Sequence, residues 1–289
     1  MALAENLVLA AFGAMLCWGI GDFLIQKSVR KIGDIETLAF IGIVGAVGLL
    51  PFIAQDFHKL SQGNVLFLAG IGIVTFIVAV LNFEALKQGK LSVVEVILEL
   101  ELPVTVILGF IFLRESLTLA QLAVISTVFI GIMLMATRHL SIGHFARNLE
   151  RGAMIAGASA IGMGLVNFLT GVGAKGISPI MVIWVPWIGF TALCLAYLWK
   201  KGALRELLSN ASKYPALLAA TGAFDTAAWL LFAIAVSGSQ ISLIIGVTES
   251  YPAIAIALGV WLNKESVMLH QYFGAALAIA SSIALALII

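Results

Sequence analysis

Charge is what this chain has least of. Lys, Arg, Asp and Glu make up 11% of its 289 residues, where ordinary soluble domains carry about a quarter. The basic residues are scattered through short connections with no stripe or cluster, so a nucleic-acid partner is excluded. Cysteine is nearly absent. Cys17 and Cys194 both sit inside apolar runs, which leaves no disulfide framework and reads as two small buried hydrophobes. The histidines, His58, His139, His144 and His270, fall in connections or at segment ends, so neither a His-built catalytic site nor a metal or other cofactor is expected. No Lys lies deep in an apolar run, which excludes a retinal-type Schiff base. No phosphate-binding loop is present, so ATP-driven work by this chain is excluded too.

What is abundant is apolar. Hydrophobic residues make up 62% of the chain, and its mean hydropathy is +1.11. A soluble fold of this length cannot hide that much apolar surface, so the lipid bilayer is the solvent and the cell membrane the location. Apolar runs of about 20 residues recur, the length that spans a bilayer as a helix. They predict an all-α polytopic protein with ten transmembrane helices, at roughly 5–26, 35–55, 64–86, 91–113, 118–137, 152–172, 178–199, 215–236, 240–262 and 268–288. The first run has no positive region before it and reads as a retained helix, not a cleaved signal.

The two halves resemble each other. Ala85, Ser92, Glu115, Ser116 and Gln121 recur as Ala235, Ser242, Glu265, Ser266 and Gln271, each 150 residues on. Pro103 recurs as Pro252, 149 residues on. The chain therefore divides into a first repeat over 1–138, a linker at 139–151 and a second repeat over 152–289. Five helices is an odd number, so the second repeat inserts opposite to the first: an inverted-topology repeat, as in many secondary transporters. Of the sixteen basic residues, only Lys59, Arg114 and Lys175 fall on the side of connections 2–3, 4–5, 6–7 and 8–9. The positive-inside rule then puts that side, and both termini, outside.

The prolines Pro103 and Pro252, the glutamates Glu115 and Glu265 after them, the Gln121 and Gln271 that follow, and Trp18-Gly19 in the first span carry a family resemblance. The chain resembles the drug/metabolite transporter superfamily, specifically its EamA-type members, over nearly its whole length. The resemblance implies a ten-helix transporter with a central cavity lined mainly by spans 1, 3, 4, 6, 8 and 9. Many such relatives look as though both termini are cytoplasmic; the charge distribution here gives the opposite orientation.

Within the spans, the segment VEVILELELPVT (94–105) carries Glu95, Glu99 and Glu101 just before Pro103. A carboxylate at mid-membrane costs about 2.5–3.5 kcal/mol on an insertion scale, so it faces water or a partner. Asp22, Glu84, Asp225 and Glu249 are the other candidates, although Glu84 lies a turn from Lys87 near a helix end, where a surface ion pair suits it as well. No Lys or Arg in a span can neutralise them, so a proton, a cation or water must. At 100° per residue Glu95 and Glu99 share a face and Glu101 lies about 200° from Glu99, facing another helix, where it should stay protonated and hydrogen-bonded. Pro103 cannot donate to the carbonyl of Glu99, nor Pro252 to that of Thr248, so both spans should kink beside an acid. Glu99 and Glu249 then make a pseudo-symmetric pair near the midplane, where inverted-repeat carriers bind substrate. Glu115 and Glu265 read as acids of short polar connections beside a helix cap.

Trp18 stands one turn before Asp22 and Trp229 one turn after Asp225, so each ring shares a face with a carboxylate. That suits an organic cation. Tyr251 falls on a different face from Glu249. The expected function is a secondary transporter of a small cationic or amphiphilic amine, exported by alternating access in exchange for protons. Its site residues are Glu99, Glu249, Glu95, Asp22, Asp225, Trp18 and Trp229, with helix kinks at Pro103 and Pro252. The sequence does not choose an oligomeric state. An uncoupled facilitator or exchanger of amino acids or other neutral metabolites is the alternative. Gly19-Ile20-Gly21-Asp22 also matches the GxGD signature of intramembrane aspartyl proteases, which would pair Asp22 with a second aspartate such as Asp225, but the repeat architecture argues for transport instead of catalysis.

Overall fold

The computed structural model describes residues 2–88, 97–136, 151–264 and 267–289. Its helices are α1 (Ala2–Ile32), α2 (Asp34–Leu49), α3 (Gln62–Gln88), α4 (Glu101–Leu113), α5 (Leu119–Ala136), α6 (Arg151–Gly176), α7 (Met181–Lys201), α8 (Leu204–Lys213), α9 (Pro215–Ser237), α10 (Ile241–Thr248), α11 (Pro252–Asn263) and α12 (Leu269–Ala286). Among the described residues there is no strand. Lipid offers the backbone no hydrogen bonds, so helices that satisfy their own N–H and C=O groups are the natural solution for such apolar runs. Nine membrane-crossing segments are long and apolar enough among the described residues, and Glu101–Leu113 is a shorter apolar helix. The first part of the expected fourth span and residues 139–150 of the expected linker lie outside the described residues.

Packing follows the repeat. The most extensive contact joins α1 to α9, and exchanging the two repeats turns it into the α3–α6 contact. The same exchange relates α2–α9 to α3–α7 and α4–α6 to α1–α11. The α5–α12 and α2–α7 pairs map onto themselves. Two five-helix units thus interlock instead of sitting side by side. Phe110, Phe112, Leu119, Trp199, Trp261 and Leu269 stay exposed on the outside, as lipid-facing side chains should.

The α5–α12 pair is the tightest. A Cβ on Gly131 would lie 2.8 Å from the Gly274 carbonyl oxygen and 2.8 Å from the Ala278 nitrogen, and one on Gly274 would lie 2.6 Å from the Gly131 oxygen. Only glycine lets two backbones approach so closely. Gln121 and Gln271, matched in the sequence by the repeat, now have a physical role. Each side-chain oxygen accepts the backbone N–H three residues before it, of Thr118 and Met268, at 3.0 Å. Each side-chain amide reaches the far end of the opposite helix, at the carbonyls of Ile288 (3.1 Å) and Met135 (2.8 Å).

Two elements depart from the sequence expectation. The connection between spans 7 and 8 contains α8, with Leu207 buried and Arg205, Glu206 and Lys213 exposed, the pattern of a helix lying along the interface. The second span ends at Leu49 and passes through two short 3-10 turns, Leu50–Phe52 and Phe57–Lys59. There Asp56 accepts a hydrogen bond from Ser178 and pairs with Lys59 at 2.7 Å. These hydrogen bonds, that to Lys59 foremost, hold the Asp56 carboxyl below its usual range.

Candidate functional site

The fourth and ninth spans do not kink; they break. In the ninth, α10 ends at Thr248, Glu249-Ser250-Tyr251 form a turn, and α11 begins at Pro252. In the fourth, Glu99 and Leu100 form a turn and α4 begins at Glu101, with Pro103 in its first turn. Proline is well placed there, because first-turn N–H groups have no intrahelical partner to lose. The breaks fall at Glu99 and Glu249, 150 residues apart. The sequence expectation that Thr248 keeps a free carbonyl is corrected. The helix tightens into i→i−3 bonds, and the Tyr251 N–H donates to the Thr248 carbonyl at 3.1 Å. Both second halves end alike, on Arg114 and Lys264 in the left-handed conformation (φ 52° and 55°).

Close glycine contacts position these breaks against neighbouring helices. A Cβ on Gly19 of α1 would lie 3.0 Å from the Tyr251 carbonyl oxygen and 2.6 Å from Ile254 Cβ. A Cβ on Gly164 of α6 would lie 3.0 Å from the Glu101 carbonyl oxygen and 2.6 Å from Val104 Cγ1. Tyr251 and Ile254 are Glu101 and Val104 shifted by 150. Gly19 and Gly164 are therefore structural counterparts, and three residues on from each come Asp22 and Asn167. By the 150-residue shift Asp225 corresponds to Thr75.

The carboxylates fall on one flank. Asp22 on α1 and Asp225 on α9 sit on the most extensively packed helix pair, where Gly21 lets the α9 backbone come near: its Cβ would be 3.6 Å from the Asp225 nitrogen. The equivalent α3–α6 pair carries Thr75 and Asn167, buried but uncharged. The charge of Asp22 acts on Asp225 and on Glu249. Glu249 also feels Glu101 and Glu99, and Tyr251 feels Asp22, Glu99, Glu101 and Glu249. The break thus gathers Asp22, Glu99 and Glu101 around Glu249, and Asp22 links Asp225 to them.

Glu101, expected to face away from Glu99 toward another helix and to be hydrogen-bonded there, stands within hydrogen-bonding reach of Glu249 on the ninth span. Glu249 is 2% exposed, and its Oε2 has no hydrogen-bond partner among the described residues. Asp225 is buried; Asp22, Glu99 and Glu101 are partly open. Among the described residues no Lys or Arg pairs with Asp22, Glu101, Asp225 or Glu249. Two carboxyls bond to each other only when one holds a proton. Glu95 lies outside the described residues.

The rings form a wall beside the acids. Trp18 and Trp229 meet edge to face, centroids 5.2 Å apart at 90°. Phe232 and Tyr251 lie 5.5 and 6.1 Å from Trp18. Tyr251, two residues past Glu249, joins the wall through Trp18. Trp187 joins at 5.9 Å from Trp229, and its indole N–H donates to Thr226 at 3.2 Å. Among the described residues, no group of three or more His, Cys, Asp or Glu side chains is placed to hold a metal ion.

The EamA-like transporter family matches residues 6–137 and 150–287 of the chain. An uncharacterised protein of Methanocaldococcus jannaschii is 28% identical over 137 residues, 47% of this chain but 96% of that protein, about the length of one repeat. A crystal structure of another protein superposes with a TM-score of 0.74 at 18% identity, covering 96% of this chain and 95% of that one.

Proposed function

This chain belongs to the EamA-like transporter family, and from that premise we propose that it moves a small cationic or amphiphilic amine across the cell membrane by alternating access, in exchange for protons. The observation that carries the reading is the Glu101–Glu249 pair beside the Trp18–Trp229 wall. A carboxyl pair that shares a proton in a desolvated site can release it when an ammonium group arrives, so proton and cargo compete for one place. Cargo charge then meets Glu249, Glu101 and Glu99, with Asp22 and Asp225 on the α1–α9 flank. The aromatic faces of Trp18, Trp229 and Tyr251 stabilise its apolar, cation-bearing end. Residues 1–138 and 152–289 act as the two rocking units around this site. The distribution of Lys and Arg supports a topology with both termini outside.

The test is flux into proteoliposomes of purified protein, with a panel of amines, amino acids and nucleosides, with and without a pH gradient. Gradient-driven amine flux supports the proposal. Flux of neutral metabolites that ignores the gradient would replace it with an uncoupled facilitator.

A further inference from the structure

Glu115 follows α4 in the short connection to α5, yet it is only 7% exposed. The sequence assigns it to a local polar turn. The structure sends its side chain to the other repeat. Oε1 accepts the Ile241 backbone N–H at 2.6 Å. Oε2 accepts the Ser242 N–H at 3.0 Å and the Ser242 hydroxyl at 2.6 Å. Ile241 and Ser242 open α10, the half-helix that carries Glu249 at its far end. Lys175, at the end of α6, places Nζ 3.6 Å from Oε1. Gln240 adds a parallel bond, its side-chain amide donating to the Ser116 carbonyl at 3.3 Å.

First-turn N–H groups of a helix have no partner of their own, and the helix dipole favours an anion there. A carboxylate from a second element that takes two of them ties that element to the helix with charge-assisted bonds. Room for it is specific. A Cβ on Gly109 would lie 2.7 Å from Glu115 Oε2 and 2.9 Å from Ser242 Oγ.

The same set recurs in sequence. Ser92, Gly259 and Glu265 stand at Ser242, Gly109 and Glu115 under the 150-residue shift; Ser92 and Glu265 lie outside the described residues. In an inverted repeat the second set belongs to the opposite membrane face. The two end states of a carrier built this way are related by exchanging the repeats. Resting on the alternating-access reading above, we propose that Glu115 is a positioning residue that latches α4 to the start of α10 and holds shut the face bearing connections 4–5, 6–7 and 8–9. Opening that face requires Glu115 to leave the α10 amides.

The experiment is electron–electron resonance distance measurement between spin labels at Ser116→Cys and Ser239→Cys, in a Cys17→Ala/Cys194→Ala background in nanodiscs. Glu115→Gln is expected to raise the ratio of the long-separation to the short-separation population by about tenfold, the effect of a lost hydrogen bond to a charged group. A distribution unchanged by Glu115→Gln overturns the proposal. If Glu115→Gln does not fold, Lys175→Met carries the same expectation in weaker form. No substrate enters the measurement, so a failure of amine flux and a failure of the latch are separate results.

Discussion

Glu101 stands within hydrogen-bonding reach of Glu249, across the boundary between the repeats. Each comes from a span broken just beside it, one before Glu101 and one at Glu249. The pair has one expected consequence for transport. Glu101→Gln and Glu249→Gln should each lower gradient-driven amine flux by about tenfold or more, the scale of a lost charge-assisted hydrogen bond. Both variants should remain monodisperse, because glutamine keeps the volume and can still bond. Initial rates with and without a pH gradient check this; a variant that keeps its gradient dependence contradicts it.

The aromatic wall gives a second expectation. Trp229→Leu keeps an apolar side chain beside Asp225 and removes the ring that meets Trp18 edge to face. Losing one cation–π partner of about 0.5–2 kcal/mol should raise the half-saturating amine concentration about 2–30-fold. Saturation curves for a permanently charged aromatic amine check it, with a neutral substrate of similar size as control.

Packing gives a third. Gly274→Ala drives a methyl group into the Gly131 carbonyl, 2.6 Å away, and that neighbour is backbone that cannot rotate aside. Overpacking of this kind costs about 1–3 kcal/mol. Gly70 meets nothing within 4 Å, so Gly70→Ala should stay within about 0.5 kcal/mol of the parent. Thermal unfolding in detergent, followed side by side, distinguishes the two.

The Asp56 connection gives a pH expectation. Lys59 and Ser178 hold the folded-state carboxyl below its unfolded value. A depressed acid contributes stability that is fully present above the unfolded value of about 3.9 and disappears as pH falls through the folded one. The melting difference between the parent and Asp56→Asn should therefore be constant near neutrality and vanish in strong acid. A difference that grows on acidification would reverse the sign.

The apolar runs, the 150-residue repeat and the acid–aromatic spacing of Trp18-Asp22 and Asp225-Trp229 made the helical architecture and one flank of the site legible in the sequence. Those signals are local and periodic. The breaks in the fourth and ninth spans escape that kind of reading, because a proline after an acid reads as a kink. The clue is present: in both spans only two or three residues separate the acid at the break from proline, the spacing at which a new helix can start. Glu115 escapes it because its hydrogen-bond partners, Ile241 and Ser242, lie more than a hundred residues away. The repeat itself hints at the link, since Glu115/Glu265 and Ser92/Ser242 share one shift.

The most direct test of the central claim, that one site trades a proton for cargo, is proton release on binding. Purified protein in weakly buffered detergent near neutral pH is titrated with benzyltrimethylammonium, a permanent cation that carries no proton of its own. The account expects about one proton released per cation bound, and none from Glu101→Gln/Glu249→Gln. Binding by the unmodified protein with no proton release would contradict it.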